Sequence, residues 1–405
     1  MSRKSSLWIM LAACSAATLT SWIDASWAPR LSASLLLAAG CGWLFARREL
    51  HLDSIDCAVW FLLAIPAWGV VQLLLGLSVY VNASLLAIVY WSSLGAVFWM
   101  ATGTFADKGR RHLMLTCFGL LASALAWVAL IQPHAGRLGI ESMRSVAADA
   151  YAGSFANRNM YSCFAELALP VLLWLGLWNG RMRWYWLLNA GAVVASVLSS
   201  GSRGGAVMIL IECAVLAVIA GRGRKVYWKL GFGAAAVMIA FAAATMGDGG
   251  LIVRMQYSDP MVLRREVYQS GLAMFAERPW TGFGLGTFSA AYPAYALFDN
   301  GRFVNLAHND WLQLPVEGGL ITLLLFACFC LSLVRGFRHS AWALGIPIVL
   351  IHALVDFPLH RAGVAAWWML LAGAFRAKPL SRRVEPTPVP LSAESSDRSL
   401  ATAAR

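Results

Sequence analysis

Residues 307–334 read AHNDWLQLPVEGGLITLLLFACFCLSLV, and this stretch indicates what kind of protein the chain is. From Gly318 to Val334 it contains no charged residue, so it is more apolar than a helix on the surface of a soluble protein. A helix needs about 20 mostly apolar residues to cross a hydrocarbon layer roughly 30 Å thick. The pattern therefore predicts a transmembrane helix over residues 310–334, with polar residues at its start.

Comparable apolar stretches recur along the whole chain of 405 residues. They lie near residues 7–23, 31–46, 57–77, 83–101, 112–131, 161–178, 184–198, 205–220, 230–246, 340–354 and 362–375. Because 60% of the residues are hydrophobic and only 13% are charged, one or two soluble cores cannot account for them. The composition excludes a soluble enzyme and predicts an all-α integral membrane protein with about twelve transmembrane helices. The first stretch resembles a signal peptide, but the many that follow favour an uncleaved first helix.

The basic residues predict which side of the membrane each loop occupies. Of the 32 lysines and arginines, 21 fall in the N-terminal tail, in every second loop and in the C-terminal tail. This distribution follows the positive-inside rule and places both termini in the cytoplasm. The net charge of +12 is scattered over short loops and forms no continuous stripe, so it does not indicate a nucleic-acid partner.

The 11 basic residues on the other side are all arginines, whereas all five lysines are cytoplasmic. Arginine offers a planar fork of donors that fits phosphate oxygens. This side therefore favours an anionic, phosphorylated ligand. Composition alone is the alternative explanation, because the chain has 27 arginines and only 5 lysines.

Long connections on the arginine-rich side divide the chain. We place N-terminal transmembrane helices at 1–132, a second membrane region at 133–375 with a large, partly helical loop at 247–309, and a disordered cytoplasmic tail at 376–405. Within the loop, residues 261–277 have the pattern of an amphipathic helix lying at the membrane surface or against the bundle. Its apolar positions are Leu263, Val267, Leu272 and Phe275, and its polar positions are Arg264, Arg265, Glu266 and Gln269.

Two features follow that helix in the sequence. Pro279 is expected to end it, since proline removes a backbone donor and clashes with the preceding turn. The glycines at 282, 284 and 286 then predict a turn in which the backbone approaches a ligand or another helix.

His308 is the histidine best placed for chemistry. It stands where the large loop meets the apolar helix at 310–334. A polar stripe follows it, formed by Asn309, Asp310, Gln313 and Glu317. Polar groups at membrane depth are costly unless they line a cavity, so the stripe predicts a functional site.

Three arginines are the best candidates for binding an anion. Arg203 lies within the glycine-rich turn at 198–205, where backbone N–H groups and a helix N-terminus assist in holding phosphate. Arg264 and Arg265 lie on the amphipathic helix. The alternative for each of the three arginines is a lipid-headgroup contact or a salt bridge with Glu266 or Asp259. Asp356 is expected to orient His308, to bind an acceptor or to cap a helix.

The sequence favours no metal site. It contains no Asp-x-Asp pair of the kind that clamps a metal on a nucleotide-sugar diphosphate. The eight cysteines all fall in or at the edge of apolar stretches, so we interpret them as small buried side chains.

An ordered set of short motifs resembles the O-antigen ligase and polymerase superfamily of bacterial membrane glycosyltransferases. The motifs are SFANRN at 154–159, SRG at 202–204, RREVY at 264–268, ERPWTGFGLGTF at 277–288, AHN at 307–309, LQ at 312–313, EGG at 317–319 and DFPL at 356–359. They cover residues 150–370 approximately. The family usually carries tryptophan where Tyr268 stands.

The resemblance implies a GT-C-like enzyme in the bacterial inner membrane with a periplasmic active site. It would transfer a glycan from undecaprenyl diphosphate to an acceptor hydroxyl on lipid A-core or another glycan, inverting the anomeric centre without metal or cofactor. Membrane lipids would surround its spans. The family-like region is the second membrane region, 133–375. Alternatives are a polymerase of the same family, transfer to protein, and, from another class, a polysaccharide transporter or flippase.

The resemblance and the residues together assign roles in this reaction. His308 is the expected general base, and Arg203 and Arg264 are expected to stabilise the departing lipid diphosphate. Arg265 is the reserve for Arg264. The further expected substrate-binding residues are Arg158, Asn157, Asn309, Gln313 and Asp356.

Overall fold

The computed structural model describes residues 3–23, 27–45, 55–134, 152–177, 182–221, 261–297, 301, 303–334 and 340–377. Their regular structure is helical, apart from one isolated bridge between Ala152 and Phe155. The α-helices are α1 (Arg3–Leu19), α2 (Trp27–Phe45), α3 (Cys57–Leu74), α4 (Val81–Thr104), α5 (Lys108–Ile131), α6 (Arg158–Leu177), α7 (Arg183–Ser199), α8 (Arg203–Gly221), α9 (Val262–Glu277), α10 (Phe288–Ala291), α11 (Asp310–Leu333), α12 (Gly345–His352) and α13 (Ala362–Arg376). Short 3₁₀ turns lie at Gln132–His134, Tyr292–Ala294, Ala341–Ala343 and Pro358–His360.

The all-α prediction is confirmed for the described residues. Eleven of the predicted apolar segments coincide with helices, and the segment at 230–246 lies outside the described residues. In the described part, α3, α4, α5, α6 and α11 are long and apolar enough to cross a membrane. The count of about twelve spans and the GT-C-like arrangement stay predictions.

Two helices form the centre of the bundle. In α6, 89% of the most apolar 18-residue stretch is buried, whereas the corresponding fraction is 39–50% in the other four long apolar helices. In α13, every residue from Ala362 to Ala374 is buried. Surrounding helices expose large apolar side chains such as Trp60 and Leu74, as expected for surfaces that face lipid.

The cysteine prediction is only partly right. Cys14, Cys163 and Cys213 are buried, but Cys41 and Cys57 are exposed. An apolar stretch shows that a helix avoids water, yet it does not distinguish a side that faces protein from one that faces lipid.

The start predicted for the C-terminal tail falls inside a helix. Arg376 is the last residue of α13, and its guanidinium lies 2.9 Å from the carboxylate of Asp56. The rest of the predicted tail, from residue 378 onward, lies outside the described residues.

The predicted amphipathic helix is present as α9, and it ends at Glu277, two residues before Pro279. Its faces differ from the prediction. Glu266 is buried, and both of its carboxylate oxygens accept from the hydroxyl of Tyr292, at 2.5 and 2.6 Å. Leu272 is 58% exposed instead. The loop after α9 folds back over the polar side of the helix, and a hydrogen-bonded carboxylate tolerates that burial.

The glycine-rich turn packs against a break in α11. Gly319, at φ 67° and ψ −173°, interrupts the helix. The backbone N–H of Leu320 donates to the carbonyl of Pro279 at 2.7 Å, and that of Gly284 donates to the carbonyl of Glu317 at 2.9 Å. Of the two alternatives for this turn, the structure shows the approach to another helix.

Candidate active site

Polar residues meet at the end of the bundle where α6, α8 and α11 begin. The turn after α12 and the 3₁₀ turn Pro358–His360 complete this end, and α9 lies beside it. These elements come from five separate parts of the sequence. The predicted residues His308, Arg264 and Asp356 are brought together here.

His308 lies in the segment just before α11, in a strained backbone conformation. Its φ of 53° is in the left-handed region, which is uncommon for residues other than glycine. The hydroxyl of Tyr268 donates to the carbonyl oxygen of His308 at 2.9 Å. The imidazole packs edge-on against the ring of Phe357, with 4.9 Å between ring centroids. Strain of this kind persists where surrounding contacts hold it, and it is typical of functional sites.

The environment of His308 keeps its imidazole neutral. Burial lowers its pKa, and the charges of Arg264 and Arg361 lower it further, while Asp356 acts in the opposite direction. The net pKa lies below the ordinary value of 6.5. The Nδ1 atom is buried and has no hydrogen-bond partner among the described residues. A neutral ring with an unengaged nitrogen is the form that accepts a proton.

The polar stripe on α11 supports the His308 segment. Asn309 caps the helix, since its side chain accepts from the N–H of Leu312 at 3.0 Å. Gln313 is buried, accepts from the N–H of Ala307 at 2.9 Å and donates to Glu317 at 2.9 Å. Both groups of the Gln313 amide are therefore used within the protein, which favours a positioning role over substrate contact.

A second histidine, His360, has a pKa that is displaced in the opposite direction. The Nδ1 of His360 lies 2.6 Å from the carboxylate of Asp310. Burial lowers the pKa of His360, but the Asp310 charge and hydrogen bond raise it more, so the net pKa is above 6.5. Two neighbouring histidines with pKa values displaced in opposite directions have different roles. His308 has the properties of a base, and His360 those of a paired cation.

Asp356 joins two helices to the site. Its carboxylate is buried, accepts from the side-chain amide of Asn159 at 2.7 Å and lies 3.4 Å from the guanidinium of Arg264. It also accepts from the N–H of Phe357 at 3.0 Å. The observed contacts favour a role that differs from the three expected from the sequence, namely orientation of Arg264.

Arg264 and Arg265 are separated clearly by the fold. Arg264 is partly buried beside Asp356, whereas Arg265 is exposed on a different side of α9. Neighbouring helical residues are rotated by about 100°, so only one of the two can face the site. The geometry favours Arg264.

Arg203 is connected to Asp356 through its neighbour Ser202 and a chain of two hydrogen bonds. It is the first residue of α8, and the preceding Ser202 donates to the side-chain oxygen of Asn159 at 2.9 Å. Asn159 in turn donates to Asp356. Arg203 therefore begins its helix at the same end of the bundle as Asp356. Its backbone neighbourhood is the helix N-terminus that the sequence predicts for anion binding.

The remaining predicted contacts, Arg158 and Asn157, lie at the start of α6. The Asn157 side chain accepts from the N–H of Asn159 at 2.8 Å, so it caps the helix. Arg158 is partly exposed at the first helical position. Both lie at the correct end of the bundle for their predicted substrate-binding role, which stays a prediction.

Sequence reasoning missed several residues that contact or orient the site. Phe357 contacts His308, and the guanidinium of Arg361 lies 5.1 Å from the centroid of the Phe357 ring. Asn159 and Tyr268 are within the recognised motifs, but their hydrogen bonds could not be assigned from spacing. Arg361 is one of the arginines on the side that carries no lysine. That distribution was the one feature of the sequence that could have indicated its place near the site.

The assembled geometry combines a neutral base with cationic groups. Arg264 retains 21% side-chain exposure while contacting a buried carboxylate. A guanidinium has five N–H donors, so one contact with Asp356 leaves donors for an anionic ligand. Such an arrangement suits removal of a proton from a hydroxyl near a phosphorylated leaving group.

Comparison with known families supports the resemblance found in the sequence. Residues 188–327 match the family model described as O-Antigen ligase. The match covers about a third of the 405 residues, from within α7 to within α11, and includes Arg203, Arg264 and His308. A comparison with curated proteins gave no match. The family match confirms the resemblance to the O-antigen ligase and polymerase superfamily.

Proposed function

We propose that this membrane protein, whose residues 188–327 match the O-antigen ligase family, is a glycosyltransferase. It transfers a glycan from undecaprenyl diphosphate to a hydroxyl of lipid A-core at the periplasmic face of the bacterial inner membrane. The observation that carries the proposal is a half-buried His308, strained at φ 53° and packed against Phe357, at the end of the helical bundle where Arg264 meets Asp356. Polymerase activity on another lipid-linked glycan is the alternative within the family.

His308 supplies the base. An acceptor hydroxyl is a poor nucleophile, and removal of its proton as the new bond forms is typically worth about 10²- to 10⁴-fold in rate. The lowered pKa keeps the imidazole unprotonated at neutral pH. The contacts from Tyr268 and Phe357 hold the backbone and ring of His308 in one orientation.

The arginines stabilise the leaving group. As the bond between sugar and diphosphate breaks, negative charge accumulates on the diphosphate oxygens. Arg264 is held in place by Asp356, so its guanidinium is oriented before the reaction begins. Fixed positive groups need no reorganisation when charge develops, which often makes them the largest catalytic term. Arg203, at the start of α8, is the second such group.

Direct attack by the acceptor inverts the anomeric centre, because the nucleophile approaches from the side opposite the diphosphate. The reaction uses the side chains named above and requires no metal at the reacting atoms. The exposed apolar surfaces of the spans accommodate membrane lipids and the polyprenyl chain of the donor.

The acceptor is tested with purified protein in liposomes. Radiolabelled glycan on undecaprenyl diphosphate is offered with lipid A-core, with a second lipid-linked glycan, or with neither. Product on lipid A-core with an inverted linkage supports the proposal. Product found only on the second lipid-linked glycan contradicts ligase activity and shows that the protein is a polymerase. Movement of the lipid-linked glycan across the bilayer without transfer contradicts an enzyme and favours a transporter.

A further inference from the structure

A second polar cluster lies within the bundle, below the candidate active site. Cys163 and Glu166 are three residues apart on α6 and therefore share a face of the helix. His352 is the last residue of α12. Its Nδ1 lies 2.7 Å from a carboxylate oxygen of Glu166 and 3.3 Å from the sulfur of Cys163. One donor atom from each residue lies within 4.8 Å of the other two.

The cluster is closed to solvent and incompletely satisfied. Cys163 and Glu166 are 0% exposed, and His352 is 1% exposed. The second carboxylate oxygen of Glu166 has no hydrogen-bond partner within the described part of the chain. A buried carboxylate oxygen without a partner is costly, and a cation is one way to satisfy it.

We propose that Cys163, Glu166 and His352 form a binding site for a divalent transition-metal ion, of which Zn²⁺ fits best. A sulfur, an imidazole nitrogen and a carboxylate oxygen are the three ligand types that Zn²⁺ takes in proteins. Binding releases two protons to solvent, one from the thiol of Cys163 and one from the hydrogen bond between His352 Nδ1 and Glu166, and leaves a thiolate, a carboxylate and a neutral imidazole protonated at Nε2. A thiolate, a carboxylate, a neutral imidazole and Zn²⁺ sum to zero charge, which suits a site surrounded by apolar helices.

The orientation of His352 supports this assignment. Gly204, near the start of α8, lies against the other ring nitrogen, and a Cβ at that position would be 2.8 Å from Nε2. The ring is therefore packed so that Nδ1 faces Cys163 and Glu166. Packing that fixes a ring in this way orients a ligand before the metal arrives.

The site joins helices that also carry the candidate active site. The first turn of α6 contains Asn159, and the N–H of Val355, in the turn leading to Asp356, donates to the carbonyl of His352 at 2.9 Å. A bound ion ties α6 to the end of α12 at this turn. The role is structural, because the ligands are separate from the base and the arginines proposed to act on the substrate.

The test measures the metal itself in the full-length protein. Protein purified in detergent, with an affinity tag that contains no histidine, is analysed for zinc by mass spectrometry. It is then loaded with Co²⁺ without oxygen, because Co²⁺ bound to a thiolate gives a near-ultraviolet charge-transfer band. We expect about one ion per chain and a thiolate band, as for a site with one cysteine ligand.

Cys163→Ser is the diagnostic variant, and Cys14→Ser is the matched control because Cys14 is also fully buried but lies on α1. Cys163→Ser should remove the cobalt–thiolate band and lower metal occupancy roughly tenfold or more. Cys14→Ser should keep both. Wild-type protein without stoichiometric metal and without the band overturns the proposal. So does an unchanged band in Cys163→Ser.

Two further measurements keep the result interpretable. If Cys163→Ser does not fold, the proposal is tested by comparing the Co²⁺ spectrum of the wild type with that of Glu166→Gln. This variant removes an anionic ligand but keeps the cysteine. A band in the wild type that weakens in Glu166→Gln supports the site, and one that is unaffected contradicts it. Glycan transfer is not a readout here, so failure of this proposal and failure of the glycosyltransferase proposal are distinguishable.

Discussion

The guanidinium of Arg264 lies 3.4 Å from the carboxylate of Asp356, and the two side chains are 21% and 2% exposed. Asp356 is thus enclosed by protein, while Arg264 still reaches the open end of the site. The residues are 92 positions apart in the sequence. This pair orients the positive charge that the proposed reaction requires, and it leads to the first prediction.

Replacing Arg264 by lysine should reduce transfer by about 10²- to 10³-fold, the usual cost of losing one oriented donor to developing charge. Lysine keeps the charge but loses the planar fork that contacts a carboxylate and a phosphate together. Arg265→Lys is the matched control, since Arg265 is exposed on the same helix. Initial rates with lipid-linked donor compare the two. Equal losses in both variants would contradict the assignment of Arg264.

Replacing His308 by alanine should lower the transfer rate by about 10²- to 10⁴-fold, since the base is removed. Purification yield and thermal stability should remain close to those of the wild type, because the bond from Tyr268 goes to the backbone carbonyl, which alanine keeps. His112→Ala serves as the control, since His112 is in the first turns of α5, at the basic end of that helix. Full activity of His308→Ala excludes the residue from the mechanism.

The pH profile of transfer should show an acidic limb below pH 6.5, because the pKa of His308 is lowered and only the unprotonated ring acts as base. Arg361 contributes to that lowering. Arg361→Gln should therefore raise the pKa and move the acidic limb to higher pH. Arg278→Gln, in the segment after α9, should leave it in place. The measurement is kcat/KM between pH 4.5 and 8, and a limb that does not move removes His308 as the titrating group.

Arg203→Lys should also reduce transfer, by about 10²-fold or more, if its planar fork binds the diphosphate. Arg183→Lys is a suitable control, because Arg183 begins α7 at the opposite end of the bundle. Activities are compared at saturating donor and at low donor. A loss confined to low donor would indicate ground-state binding only and would contradict stabilisation of the leaving group.

Gly319→Ala should prevent stable folding, because a Cβ there would lie only 2.0 Å from the carbonyl oxygen of Trp280. Gly301 also has a φ of 67°, but no atom of the residues that the structure describes lies within 4 Å of its Cβ position. Gly301→Ala should thus show only the backbone cost, about 1–2 kcal/mol. Size-exclusion chromatography and thermal unfolding in detergent compare the two. Similar behaviour of both variants would contradict close packing of the glycine-rich turn.

Much of the secondary structure follows from the sequence. The long apolar stretches form helices, α9 ends before Pro279, and Asn309 caps α11 as polar residues do at helix starts. The buried stripe of Asp310, Gln313 and Glu317 is also apparent, since its spacing is helical. These features depend on length, composition and residues only a few positions apart.

The amphipathic pattern of residues 261–277 could not predict the burial of Glu266 or distinguish Arg264 from Arg265. Glu266 is covered by the turn that contains Tyr292, and Arg264 is selected by its contact with Asp356, 92 positions along the chain. The same is true of Cys163 and His352, which meet although they are 189 positions apart. A helix that is apolar on nearly all sides carries little information about the neighbour it will pack against.

The sequence by itself determined the membrane class, the positions of most helices and the region in which His308 and the arginines would be found. Hydrophobic length and local hydrogen bonding suffice for these properties, because they act within one helix. Only the tertiary structure decided that Arg264 pairs with Asp356, that Phe357 contacts His308, and that Cys163, Glu166 and His352 converge. Those contacts join elements that are far apart in the sequence, and their geometry is fixed by how the helices pack.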